Sequence, residues 1–329
     1  MIERVLMNVC MVGHGMTGIW HSNALNAMDC CLHTLVGRRP QPTEEFAERY
    51  GYRRWTISLE EALLDDEIDV AILTGPSETH AEHALAALAA GKHTLVEIPI
   101  AMCLGDSERV VETAHQLELT LGVVHPMRVR PEMVALRDRI KDGSEHIRHV
   151  GGRFFINRLE NVGATGYRRS WTDNLLWHHI AHLVDFGLWM LNEPVRKVVG
   201  FMPFPDLRTG IPMDAFVAVE TEQDQTVVCT GSYYGRERIF ETLVVTDQDT
   251  YRLDVFGSIL TTVEGEREIA PEPENCGLVT RDFVESVEEG RQPAISGDSV
   301  LPTMRVLQEV QDQWDMSHGP MAIPGRQIT

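Results

Sequence analysis

Apolar residues in the first third of the chain fall into short, nearly continuous runs. VLMNVCMV (5–12), CLHTLV (31–36), VAIL (70–73), HTLV (93–96) and LTLGVV (119–124) are each of strand length. Strands apolar on both faces belong to a sheet covered by helices on both sides. Between them lie stretches of helical period, 43–50 ending on Gly51, 59–65, and 81–90 ending on Gly91. This alternation predicts a doubly wound parallel sheet of the α/β class with right-handed crossovers. Beyond His125 the pattern changes. One helix (132–141) precedes extended runs at 147–157, 196–203, 214–222, 225–234, 240–247 and 251–256, a long helix is predicted at 174–191, and two more at 279–289 and 300–315. Alternation such as Phe216-Val217-Ala218-Val219-Glu220 fits a largely antiparallel open sheet with one covered face. The chain therefore divides into an α/β domain at 1–124 and an α+β domain at 125–329, the latter expected to carry substrate binding and oligomerisation.

The first run ends on Gly13-His14-Gly15-Met16-Thr17-Gly18 and continues into an apolar helix. G-x-G-x-x-G in that position is the Rossmann fingerprint. The first glycine makes a tight turn, the second lets a pyrophosphate approach the backbone, and the third lets helix pack on strand. The helix N-terminus then faces the phosphates. About 20 residues further on, a carboxylate at the end of the second strand would accept hydrogen bonds from the adenosine 2'-hydroxyl. This chain reads Val36-Gly37-Arg38-Arg39 instead. Two guanidiniums and no carboxylate favour a 2'-phosphate, so NADP is expected, with NAD as the alternative.

A formal net charge of -20 argues against a nucleic-acid or anionic-membrane surface. No run of about 18 apolar residues is present. The six cysteines make no C-x-x-C pair or regular framework, which fits a reducing compartment. A cytoplasmic protein is expected. Residues 171–185, WTDNLLWHHIAHLVD, are the most unusual in the chain. On an α-helix His178, His182 and Asp185 stand at i, i+4 and i+7, on one face. Two histidines at that spacing suit a metal, satisfied core histidines, or general acid/base work near neutral pH. No further ligand cluster accompanies them, so no metal is expected. Cys103 lies close enough to residues 97–99 to raise a thioester route, but no neighbour that would activate its thiol is evident.

Taken together, the glycine motif, residues 76–80, Gly91-Lys92-His93 leading to Glu97-Ile98-Pro99, residues 128–131, and the H-x-x-D of His182 and Asp185 resemble the glucose-fructose oxidoreductase and inositol dehydrogenase family over essentially the whole chain. The resemblance implies an NAD(P)-dependent dehydrogenase that forms homodimers or homotetramers. It adds Thr74, Gly75, Pro76, His80, Glu97, Ile98 and Pro99 to the cofactor-binding residues. It assigns His178, His182 and Asp185 to catalysis, with Arg128, Arg168, Arg169, Trp171, His179 and His125 around the substrate. The family usually reads Glu-Lys-Pro at 97–99 and an aspartate four residues before the H-x-x-D histidine; here Ile98 and His178 stand instead. This double departure, with Arg169-Ser170-Trp171-Thr172-Asp173 and Leu175-Leu176-Trp177-His178-His179, resembles a branch that oxidises the ring-cleavage semialdehyde of protocatechuate, a polycarboxylate. A hemiacetal hydroxyl is acidic enough to lose its proton to imidazole, which makes a lysine dispensable. The alternatives are a dehydrogenase of another aromatic-derived acid or a polyol, and a nicotinamide-binding regulator without catalysis.

Overall fold

The structure, a computed structural model, describes residues 7–319 except 29, 164, 165, 167, 169, 172 and 173. Two compact units result. The first runs to His125 and also takes in Val162 and Cys276–Ser299; the second holds most of the remainder.

In the first unit the chain runs β1 (Met7–Val12), α1 (Met16–Asn26), β2 (Cys30–Val36), α2 (Pro40–Tyr50), β3 (Arg54–Thr56), α3 (Leu59–Leu63), β4 (Val70–Leu73), α4 (His80–Ala89), β5 (His93–Glu97), α5 (Leu104–Gln116) and β6 (Leu121–Val124). The strands pair in parallel in the order β3-β2-β1-β4-β5-β6. Val9, Cys10, Met11, Val70, Ala71 and Ile72 are wholly buried, as strands covered on both faces require. The order reverses between β1 and β4, and a ligand is expected at the carboxyl ends of the strands at that point.

The expected break at 124/125 is incomplete, because the chain returns to the first unit. β6 is the last strand of its sheet and leaves backbone groups open along its edge. Ile295 accepts a hydrogen bond from the Val123 amide at 3.0 Å, and Gly122 bridges Ser296. Phe283 packs so closely on Gly122 that a Cβ there would fall 2.6 Å from its ring.

The second unit contains α6 (Pro131–Lys141), β7 (Ile147–Asn157), a π-helical turn at Leu176–Ile180, α7 (Ala181–Leu191) and strands β8 (Val195–Phe201), β9 (Asp214–Thr221), β10 (Thr226–Ser232), β11 (Tyr234–Thr246), β12 (Thr250–Asp254), β13 (Ile259–Thr262) and β14 (Gly265–Glu268). Helices α8 (Glu272–Glu289) and α9 (Gly297–His318) follow. The sheet order is β14-β13-β12-β11-β7-β10-β9-β8; β7 and β10 run parallel and the other pairs antiparallel. Residues 104–116, 54–56, 259–262 and 265–268 form elements that the hydrophobic pattern did not predict.

α7 lies on the covered face of the sheet because small residues meet large ones there. A Cβ at Gly152 of β7 would fall 2.7 Å from Leu183, and one at Gly187 of α7 would fall 2.4 Å from Val227 of β10. Glycine at both places brings helix and sheet together and fixes the direction of the histidine segment.

Candidate active site

The turn after β1 fits a dinucleotide pyrophosphate. Gly13 has a φ of 101°, and a Cβ there would sit 2.7 Å from Thr74 Oγ1, so Gly13 needs both the left-handed backbone and the space. Thr74 in turn donates to the Val12 carbonyl at 3.0 Å, holding the end of β4 against the turn. At Gly18 a Cβ would fall 2.7 Å from the Gly13 carbonyl, whereas at Gly15 it would meet nothing within 4 Å. Gly15 is thus the open side of the cradle and caps α1, whose first turn carries no carboxylate to compete with a phosphate. Met16 and Thr17 lie in that turn.

Arg38 and Arg39 are exposed at the end of β2, and Arg39 caps α2. Gly37 is buried; a Cβ there would collide with Thr43, which is wholly buried in α2. Further along the sheet, His80 is 1% exposed and bridges two loops, its Nδ1 2.7 Å from the Pro99 carbonyl and its Nε2 3.0 Å from the Gly75 carbonyl. Pro76 caps the turn between them. Ile98 is buried, beside a cis bond to Pro99. Glu97 lies 3.2 Å from His21 Nε2, and His21 Nδ1 lies 2.7 Å from Thr280. The donor atoms of His21, Glu97 and Cys276 lie within 4.8 Å of one another. No motif singles out His21, and its place three residues beyond Gly18 is the signal the chain offers for it. His125 is buried at the end of β6, in this same unit.

In the second unit the histidines are not on one regular α-helix. Ile180 N donates to the Leu175 carbonyl at 3.0 Å, a five-residue step, and the amide that caps the turn reaches back to Leu176. Such widened turns often occur at functional sites. The turn places the rings of His178 and His179 with centroids 4.0 Å apart, and those of His178 and His182 at 6.2 Å. All three side chains are half-buried. His179 stacks on Phe154 at 3.8 Å, and its Nδ1 lies 2.8 Å from the Tyr233 hydroxyl. Tyr233, wholly buried, also accepts from Arg158 at 3.1 Å, and Arg158 donates to Asn161. Phe154, Arg158, Asn161 and Tyr233 were not among the expected residues. Trp171 stands 6.3 Å from the Tyr233 ring.

Asp185, expected in catalysis, and Arg128, expected around the substrate, form a buried ion pair with each other. Arg128 Nε donates to Asp185 at 2.7 Å, a second guanidinium nitrogen donates to the other oxygen, and Thr303 adds a bond of 3.0 Å. Burial of both groups accounts for this, since a charge taken out of water needs a partner. Arg168 is strongly exposed and lies 3.6 Å from Glu160. Arg169 lies outside the described residues.

The profile of an oxidoreductase family with an NAD-binding Rossmann fold (Gfo/Idh/MocA) matches residues 7–125, and that of the C-terminal region of bacterial oxidoreductases matches residues 131–261. A 4-carboxy-2-hydroxymuconate-6-semialdehyde dehydrogenase of Sphingobium sp. (strain NBRC 103272 / SYK-6) is 30% identical over 315 residues, covering 93% of this chain and 98% of that protein. A scyllo-inositol 2-dehydrogenase (NADP(+)) of Bacillus subtilis (strain 168) is 22% identical, covering 93% of each. An oxidoreductase domain protein from Kribbella flavida shares the fold, with a TM-score of 0.84 at 19% identity over 96% of this chain and 98% of that one. So does levoglucosan dehydrogenase solved in complex with NADH, at 0.81 and 16% over 93% and 97%.

Proposed function

The chain belongs to the glucose-fructose oxidoreductase and inositol dehydrogenase (Gfo/Idh/MocA) family of oxidoreductases, and from that premise we propose that it oxidises the cyclic hemiacetal of 4-carboxy-2-hydroxymuconate-6-semialdehyde to the lactone 2-pyrone-4,6-dicarboxylate with NADP+. The observation that carries this reading is the near full-length similarity to a dehydrogenase named for that semialdehyde. Ile98 in place of the family's lysine, and the His178-His179 pair, agree with it.

A bound nicotinamide dinucleotide supplies the hydride acceptor. The first unit provides a cradle at Gly13–Gly18 for its pyrophosphate and two guanidiniums, Arg38 and Arg39, for a 2'-phosphate. His182 or His178 takes the hydroxyl proton as the hemiacetal carbon loses its hydride, so that the C–O single bond becomes the lactone carbonyl. His179, held by Tyr233 and stacked on Phe154, is a polar contact for the substrate. Arg168, Arg169 and Trp171 stand shortly before these histidines in the chain, and the arginines are the cations that would meet substrate carboxylates. The buried Arg128–Asp185 pair, with Thr303, ties residues 126–129 to α7 and α9.

The test is to mix the purified protein with NADP+ or NAD+ and freshly made ring-cleavage product of protocatechuate, and to follow reduced nicotinamide by its near-ultraviolet absorbance. Rapid reduction of NADP+ with the pyrone dicarboxylate as product is expected, and His182→Ala is expected to slow it by about 10²–10⁴-fold. An unchanged His182→Ala rate removes that histidine from the mechanism. The full-length similarity to a scyllo-inositol 2-dehydrogenase supports a second reading, a polyol dehydrogenase. Turnover of inositols without turnover of the semialdehyde would establish it.

A further inference from the structure

His14 fills the first variable position of the glycine turn, between the glycine that closes it and the glycine that opens it. Its ring lies 5.6 Å from Phe46 of α2, and its Nε2 lies 3.4 Å from the Thr43 hydroxyl. Thr43 donates its own hydrogen to the Arg39 carbonyl at 2.6 Å. With that hydrogen directed to Arg39, the Thr43 hydroxyl offers His14 Nε2 a lone pair. Gly37 and Thr43 hold this corner tightly, since no Cβ fits at Gly37. His14, Arg38 and Arg39 thus gather at the carboxyl ends of β1 and β2, where the adenosine ribose of a bound dinucleotide is expected.

We propose that His14 is a third cation of the 2'-phosphate pocket, beside Arg38 and Arg39, and that it takes up a proton when a phosphorylated dinucleotide binds. The proposal rests on the NADP reading above. Burial is the main reason the free ring stays below the ordinary imidazole range; a hydrogen bond to its own backbone works against this, and Arg39 and Arg38 lower it further. From α2 the ring meets only an uncharged hydroxyl and a phenyl ring, while Glu44, Glu45 and Glu48 of that helix are exposed. A phosphate dianion reverses the balance, because it gives the imidazolium an opposite charge and a hydrogen-bond acceptor. A 2'-hydroxyl offers neither. His14 therefore separates NADP from NAD by its charge.

Titration calorimetry of the whole protein with NADP+ and with NAD+, in neutral buffers of different ionisation enthalpy, reads the proton directly. Net uptake with NADP+ and none with NAD+ is expected. In His14→Gln the uptake disappears, and the ratio of NADP+ to NAD+ affinity falls about tenfold, the size of one charge-assisted hydrogen bond. Net release with NADP+, or no exchange, overturns the proposal, since a phosphate losing its own proton against Arg38 and Arg39 gives the opposite sign. Uptake that persists in His14→Gln overturns it as well. If NADP+ binds no more tightly than NAD+, the cofactor reading fails and the proposal with it. If Arg39→Leu abolishes the NADP+ preference while His14→Gln leaves ratio and uptake intact, only the role of His14 is lost.

Discussion

Arg128 and Asp185 lie at opposite ends of a buried ion pair, with side chains 4% and 1% exposed. Removing one partner leaves the other charge in a low-dielectric interior, so Arg128→Met is expected to cost about 3–5 kcal/mol of stability, measured by denaturant unfolding. A residue that only bound substrate would raise KM and leave the unfolding midpoint unchanged. His93 provides a pH-dependent counterpart. Its Nδ1 accepts the Thr120 amide at 2.9 Å, and burial holds its proton affinity below the ordinary imidazole range. His83 and His14 are lowered for the same principal reason. As pH falls past the ordinary value near 6.5, the unfolded chain takes up protons before the native one, and stability declines until the lower native values are passed. Thermal melts should show a fall in midpoint between neutral and mildly acidic pH. His93→Asn, whose side-chain oxygen can still accept from Thr120, should make that fall smaller.

At the scale of elements, the histidine segment is positioned by close contact of α7 with β7 and β10. Gly187→Ala would press a methyl group into Val227 and is expected to destabilise the fold by about 1–3 kcal/mol, readable as a lowered denaturation midpoint. Leu176, Trp177 and Ile180 are buried in the π-turn, and the Trp177 indole donates to Gln311 of α9 at 3.2 Å. The helical pattern at 174–191 was legible because its apolar positions recur at helical spacing. The π-turn was not, because packing against α9 and the sheet selects the wider turn, and an α-helix and a π-turn of five residues show nearly the same sequence pattern. β3, β13 and β14 were missed for a related reason: they are three or four residues long, with little or no apolar alternation.

For the whole molecule, the face of the second sheet opposite α7 carries exposed apolar residues along its β8–β9 edge. Val199 and Phe201 of β8 and Phe216 of β9 are 45%, 65% and 37% exposed, and Phe201 stands opposite Phe216 in the register. A contiguous apolar patch of this kind is expected to be covered by a second copy of the chain. Light scattering of wild type against Phe201→Asp tests this: the substitution should shift the population to smaller species, and an unchanged mass would show that the face is not the interface. Among the described residues, no helix is long and apolar enough to cross a membrane.

What the sequence determined by itself was whatever depends on local pattern: two sheets of different type, the glycine turn that opens α1, the paired arginines after β2, and the concentration of histidines before α7. Runs, alternation and motif spacing are properties of adjacent residues, so the chain displays them directly. The tertiary structure decided which of those residues meet. It paired Arg128 with Asp185, placed Tyr233 and Phe154 on His179, brought His14 to Thr43, and returned residues 276–299 to the edge of β6. Those contacts join positions far apart in the chain, and burial, which makes an unpaired charge or donor costly, selected them.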